Sequence, residues 1–439
     1  MNDLITLAGY GEADITPAKP AETVGFFRPS NLSRGVAEPL KAQVFAWQNR
    51  GMPGCLAAID SLGFTTKLAD LLRDRIASII GSRRENVMLC FSHTHSAPNA
   101  ATVPGYFEFA GERISEAVRE AVETAVPIKA GWGVAECVIG VNRRSGGSGC
   151  DRRLGLLKIT DYEGGSRLLV LRVTAHANVL SSDNYMLSPD YFGTARNLIA
   201  EKFGCPVIMI QGAAGNVRPR FRQHNADYLE IHSFEAAQTV VPEAEKQRCL
   251  TESRQAMRDM SAEILRGTES AAVTMRDIEN IGINSSTMNC RANVPDMDRA
   301  LKIAEEAVEA GIDGTAWLAE VRKLNNAGVK AQLSPVELQI FRLNDGCFCG
   351  IANEAMCELA LELQRRMRNP LVFLNGYTNG CNSYLPTAEE YDAGGYEVLW
   401  SNLIYYRYHG RVMPFNRETA GEIVTLLEQK LNALGGIKK

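Results

Sequence analysis

The chain has 439 residues, 45% hydrophobic and 22% charged, the make-up of a soluble globular protein with a large core; disorder, collagen and coiled coil are excluded. Forty-seven basic residues against 51 acidic ones give a net charge of -4, so no nucleic-acid partner is expected. No apolar run approaches the ~20 residues that span a bilayer, and no stable membrane anchor is expected.

The opening MNDLITLAGYGEADITP carries acidic residues and glycines where a signal peptide has a basic start and an unbroken apolar stretch, so secretion by that route is not indicated. Periodicity then predicts a helix over Lys67–Ile80 and a strand over Asn86–Phe91 that runs into Ser92-His93-Thr94-His95-Ser96. After a helix at Arg113–Thr124, a strand at Leu168–Thr174 precedes His176, and a helix at Tyr191–Phe203 follows. A strand at Pro206–Ile210 leads into Gln211-Gly212-Ala213-Ala214-Gly215-Asn216, and the next helix covers Thr251–Arg266. The segment 269–334, with a helix at Met297–Glu309, reads as a charged helical insertion or lid. Strands at Val336–Leu343 and Cys347–Ile351 precede a helix over Glu354–Met367. A strand at Leu371–Leu374 opens the Asn375–Tyr396 segment, and a helix over Arg417–Leu431 closes the pattern. Strands feeding helices in this way predict an α/β fold, with mixed, mostly parallel sheets and helices packed outside, as one large domain over 1–439.

Eleven cysteines without a C-x-x-C pair read as free thiols of a reducing cytoplasm. Cys347 and Cys349 alternate along a strand and are expected to pack. Cys381 has no histidine near it in sequence, which makes it a remote candidate for a nucleophile.

In open α/β sheets ligands bind beyond the carboxyl ends of the strands, and three of the six histidines fall there. His93 and His95, two apart in extended chain, leave the same face. Each residue has a plain structural reading. H-x-H also describes hydrogen-bonded structural histidines, His176 alone reads as a satisfied core histidine, and Glu354 at a helix start is favourable electrostatics. Taken together they suggest zinc, which wants two or three His, Asp or Glu ligands from several loops and an open position. Asn216, Arg218 and Arg220 form a candidate substrate-binding set. With Arg222, the arginines alternate around Pro219 and Phe221, either as a solvated basic face or as a clamp for a carboxylate or phosphate.

GYGEADITP, SHTHS at 92–96, Asn142-Arg143, His176 followed by SPDYFG at 188–193, QGAAGN at 211–216, Glu354 and SYLPTAEEYDAGGYE at 383–397 stand in one order along nearly the whole chain. In this the chain resembles the neutral (alkaline, non-lysosomal) ceramidases and their shorter bacterial relatives. The resemblance implies a mononuclear zinc amidohydrolase in which His93, His176 and Glu354 are ligands and Tyr396 a fourth, bound as phenolate beside the dication. Within SHTHS the second histidine remains the alternative ligand. His95, Arg143 and Tyr384 correspond to substrate-polarising groups. Zinc would bring the pKa of bound water to ~7, Tyr384 and Arg143 would face the oxyanion, and His95 would protonate the leaving nitrogen. Asp190 is read either as orienting a ligand histidine or as an ordinary helix N-terminal aspartate.

Three differences bear on the substrate. The chain ends soon after Tyr396, where the larger relatives continue into a β-sandwich. Asn216 and Arg218 replace an acid and a serine, and Ala352-Asn353-Glu354 replaces P-G-E. The expectation is therefore a zinc-dependent hydrolase of an amide C–N bond in a small, polar or anionic substrate. The alternatives are a zinc-dependent esterase or lyase acting on a sugar or hydroxy acid, and a non-catalytic ligand-binding protein on the same fold.

Overall fold

Two β-sheets lie face to face and helices cover the outer face of each, giving four layers, α/β/β/α, in the computed structural model, which describes residues 5–144 and 149–435. The larger sheet holds β1 (Leu7–Asp14), β2 (Lys41–Asn49), β3 (Met52–Ile59), β4 (Val87–Phe91), β5 (Val126–Glu136), β6 (Arg153–Asp161), β7 (Ser166–Val173) and β8 (Val207–Gln211), in the order β8-β7-β6-β5-β1-β2-β3-β4. The smaller sheet holds β9 (Ile281–Asn293), β10 (Ala331–Leu343), β11 (Gly346–Ile351) and β12 (Val372–Asn375), in chain order. Helices α1 (Thr66–Ile80), α2 (Tyr106–Glu123), α3 (Tyr191–Phe203) and α4 (Glu243–Ser270) pack on the larger sheet. Helices α5 (Met297–Val308), α6 (Thr315–Asn326), α7 (Cys357–Met367) and α8 (Thr419–Ala433) pack on the smaller one.

Strand alternation builds the layers. In β2 and β3, Val44, Ala46, Ala57 and Ile59 face the helices and join Ile114 and Val118 in one core. Their neighbours Phe45, Trp47, Leu56 and Ala58 point the other way, into the space between the sheets. In β11, Cys347, Cys349 and Ile351 face α7 and α8, whereas Phe348 faces the larger sheet. The sheets meet through aromatic rings, Trp47 with Phe341 at 5.1 Å and Trp132 with Phe348 at 4.9 Å between centroids. Each such ring contributes about 1.5–3 kcal/mol through burial. Arg172 on β7 crosses the gap, its Nη2 donating to the Leu374 carbonyl at 2.9 Å and its Nη1 meeting Asp151 at 2.9 Å.

The α/β class is as expected, with a mixed sheet and outer helices. The pairing is not mostly parallel: in the larger sheet only β3–β4 and β7–β8 run parallel, and in the smaller only β11–β12. The physical reason is double burial. Continuous apolar runs signal strands covered on both faces, the usual state of parallel sheets under two helix layers; here the second cover is another sheet.

Within 269–334 the helices α5 and α6 are present, but their flanks are strands. β9 pairs with β10 along its whole length, from Ile281↔Leu343 to Asn293↔Ala331. β9 was hidden because it is an edge strand with a largely polar, accessible surface. α5 and α6 bury Ile303, Ala304, Trp317 and Val321 in the same core as α7 and α8, so they belong to the outer layer and do not form a lid. All eleven cysteines are free, and Cys347 and Cys349 pack as expected, their sulfurs 3.9 Å apart. Among the described residues, no helix is long and apolar enough to cross a membrane.

Candidate metal centre

Both sheets deliver strand ends to one place. β4 runs into His93 and His95, β7 into His176, β8 into Gln211–Asn216 and β11 into Glu354. Gln211 joins two of these turns, its Nε2 donating to the carbonyls of Ser92 at 3.2 Å and Ala175 at 2.6 Å. Gly215 lets a third approach: its N–H donates to the Ala355 carbonyl at 2.8 Å, and a Cβ there would stand 2.4 Å from the Glu354 carbonyl oxygen. Glu354 is also held from the other side, in a short parallel pairing with Tyr384.

His93, with φ of 61°, turns its ring inward, and Nδ1 lies 2.7 Å from the Leu62 carbonyl. His176 Nδ1 lies 2.7 Å from the Ala214 carbonyl. A carbonyl can only accept, so each Nδ1 carries the proton and each Nε2 presents a lone pair. Those Nε2 atoms stand 3.2 Å and 3.3 Å from Glu354 Oε2. His176 Nε2 and Glu354 Oε2 are buried without a hydrogen-bond partner. Two imidazole lone pairs and a carboxylate oxygen therefore face one point, an arrangement that is costly unless a cation occupies it. The donor set is one that zinc accepts, so these residues fit the ion.

His95 completes a group of three imidazoles whose nitrogens lie within 4.8 Å of one another. Its ring centroid is 5.1 Å from that of His93, and neither of its nitrogens has a hydrogen-bond partner. Arg143 is anchored by four groups: Glu397 at 2.8 Å, Glu230 at 3.2 Å, the Gly215 carbonyl at 3.0 Å and the Tyr384 hydroxyl at 3.2 Å. Tyr396 opens a π-helical turn, Tyr396–Trp400, with its ring centroid 6.0 Å from that of Tyr384.

The electrostatics follow from burial and crowding. Burial alone would raise the Glu354 carboxyl, but His93 and His176 together hold it well below its ordinary range. Burial, then His93 and His176, push His95 well below 6.5. Burial, then Glu354, lift the Tyr384 phenol well above 10, so it is a proton donor at neutral pH. Burial also takes Tyr396 up to about 12, against the hydrogen bond with Tyr405.

Three expectations are corrected. Asp190 does not hold a ligand histidine, because both histidines are held by carbonyls; its carboxylate accepts the N–H groups of Val179, Leu180 and Tyr191 at 3.3, 2.9 and 2.8 Å. It starts α3 and fixes the chain just beyond His176. Asn216 is committed to the fold: fully buried, it donates to Glu358 at 2.8 Å and accepts the Cys357 N–H at 2.9 Å, securing the start of α7. The arginine clamp is not assembled. Arg220 is exposed and stacks on Phe221, and Arg222 is paired with Asp227 and Glu230. Arg218 is half-buried, its Nη1 donating to the Pro219 carbonyl at 3.2 Å.

Several residues were not anticipated. Tyr377, buried with φ of 52°, lays its ring 4.1 Å from that of His93. Glu397 bridges Arg143 and Arg144 at 2.8 and 2.7 Å. The adjacent arginines were a usable signal for such an acid; Tyr377 left none beyond its N-G-Y-T-N-G turn. Val24, Leu62, Phe64 and Tyr408 wall a cleft that reaches Glu354, with Asn99 and Asn382 as polar groups on it. Cys381 lines the same cleft, but burial and then Glu354 hold its thiol well above 9, which removes it as a nucleophile.

The two-sheet α/β/β/α frame is also the fold of two solved ceramidases. The neutral ceramidase from Pseudomonas aeruginosa superposes with a TM-score of 0.71 at 17% identity, over 99% of this chain and 75% of that one. A ceramidase complexed with C2 gives 0.72 at 16% identity, over 100% and 77%. No protein-family model and no curated protein sequence matches the chain. The resemblance read from the ordered motifs is thus borne out at the level of the fold.

Proposed function

We propose that this chain is a zinc-dependent hydrolase that cleaves the amide C–N bond of a small, polar molecule. The observation that carries this reading is the convergence of His93 Nε2, His176 Nε2 and Glu354 Oε2 on one buried point. The two solved ceramidases of the same fold support the reaction class. Polar character rests on Asn99 and Asn382 along the cleft.

His93, His176 and Glu354 would hold the ion, with Tyr396 as a fourth ligand. When bound, zinc supplies a water with a pKa near ~7 and a Lewis acid for the scissile carbonyl. The remaining work belongs to the chain's own side chains. Arg143 donates to the Tyr384 oxygen, which leaves the phenol proton free to point at the substrate and polarises it further. Tyr384 then donates to the oxygen on which negative charge develops. His95, neutral and unbonded at both nitrogens, accepts a proton during attack and returns it to the departing amine. Tyr384 and both ring nitrogens of His95 are buried, which keeps bulk water from these groups.

The test is turnover of a panel by zinc-loaded enzyme: short N-acyl amines and N-acyl amino acids, the matching esters, sugar acids and a ceramide. Amide cleavage that disappears in a folded His176→Ala variant is expected. Turnover of esters or sugar acids with no amide cleavage overturns the proposal, as does wild-type protein that binds no zinc.

A further inference from the structure

A second group of metal-binding side chains lies outside that site, where the turn before a short helix, Ala226–Ile231, meets the start of α4. His224 comes from the turn. Glu245, Cys249 and Glu252 come from α4, where spacings of four and three put them on one helical face. His224 Nε2, a Glu245 carboxylate oxygen and the Cys249 sulfur all lie within 4.8 Å of one another. Nε2 is 3.0 Å from Glu245 Oε1, and the sulfur is 3.6 Å from the same oxygen. Ligands on a tetrahedral zinc, with bonds of about 2.0–2.3 Å, stand about 3.3–3.6 Å apart.

The surroundings prepare these three donors. Glu252 Oε2 lies 2.6 Å from His224 Nδ1 and accepts the His224 backbone N–H at 3.0 Å. A carboxylate on the far ring nitrogen is how metal-bound imidazoles are oriented, and it leaves Nε2 as a lone pair. Asn225 Nδ2 donates to Glu245 Oε1 at 3.0 Å and to the Cys249 sulfur at 3.7 Å, fixing both. A cation already stands between the donors: Arg248 Nη2 is 2.6 Å from His224 Nε2 and 2.8 Å from Glu245 Oε1. Its side chain is 55% exposed on a flexible stem, so it can withdraw into solvent when a dication replaces it.

We propose that His224, Glu245 and Cys249 form a second divalent-metal site, with Glu252 orienting the imidazole. One nitrogen, one oxygen and one sulfur donor select zinc over magnesium or calcium. Binding replaces the Cys249 thiol proton by the metal and releases that proton to solvent. The ion staples α4 to the segment that carries Glu230, whose carboxylate meets Arg143. Its role is therefore structural and separate from the ion held by His93 and His176.

Cobalt(II) titration tests this, because a thiolate ligand gives a near-ultraviolet charge-transfer band that depends on Cys249, and the site at His93 and His176 has no sulfur ligand. Wild-type protein should develop the band, saturating by two equivalents because the His93–His176 site also takes cobalt, and added zinc should abolish it. Cys249→Ser should lose the band, His224→Ala should weaken cobalt binding at least tenfold, and His176→Ala should keep the band unchanged. His224 is exposed, so its variant reports binding without loss of the core. No band in the wild type, or a band that persists in Cys249→Ser, overturns the proposal.

Discussion

Nε2 of His176 lies 3.3 Å from Oε2 of Glu354, and neither atom has a hydrogen-bond partner. Buried donors left in this state destabilise the fold until a cation joins them. Chelation should therefore lower the melting temperature, and zinc at 100-fold over its dissociation constant should restore about 2.7 kcal/mol, read by thermal unfolding with and without metal. In His93→Ala and His176→Ala the metal at this site and its share of the metal-induced shift should vanish, leaving only what the His224–Cys249 site contributes.

Tyr384 is held by Arg143 and kept protonated by burial and by Glu354. Tyr384→Phe should lower kcat by about 10²–10³ with little change in KM, the signature of a lost transition-state donor, measured on the best amide of the panel.

Gly25 has φ of 120°, and a Cβ there would stand 2.6 Å from the His95 ring. Gly25→Ala should cost about 1–3 kcal/mol in backbone strain and displace His95. Activity should fall while zinc content at the His93–His176 site stays the same, compared by kinetics and elemental analysis.

Asn216 secures the first turn of α7 through Glu358 and the Cys357 N–H. Asn216→Ala should lower stability by about 1–3 kcal/mol, because it strands a buried N–H and a carboxylate, and should leave KM unchanged. A raised KM in protein that melts normally would return this residue to the substrate.

Asp151, buried between Arg172 and Arg153, should set part of the acid stability. Burial alone would raise its carboxyl, but the two arginines lower it to about 2 from an ordinary 3.8. A folded-state value below the unfolded one gives stability that is present above 3.8 and fades as pH falls through about 2. Asp151→Asn should cost about 3–5 kcal/mol at pH 7, and denaturant unfolding should show the gap between variant and wild type narrowing from about pH 4 to 2.

The chemistry of the site was legible in the linear chain because strand-to-loop boundaries are local. A run such as Val87–Phe91 ends in a turn that must present its side chains at a sheet end, so His93, His176 and Glu354, each with a plain structural reading when alone, could be read together as one candidate site. Helices such as Tyr191–Phe203 were equally legible, since a 3.6-residue apolar period needs no distant partner to be seen. Strand direction was not. An apolar run records that both faces are covered and does not record what covers them; only packing of Phe348 and Phe341 against Trp132 and Trp47 shows a second sheet in that place.

What the amino-acid order determined by itself was the set of candidate residues at the strand ends and the elements that carry them. Only the tertiary structure decided which atoms meet: that the carbonyls of Leu62 and Ala214, not Asp190, turn the two imidazoles, and that Asn216 is used up in holding a helix. Hydrogen bonds across more than a hundred residues, as between Asn216 and Glu358, depend on which chain segments the sheets bring together. That choice is made by collective burial of apolar faces and leaves no local mark on the residues it joins.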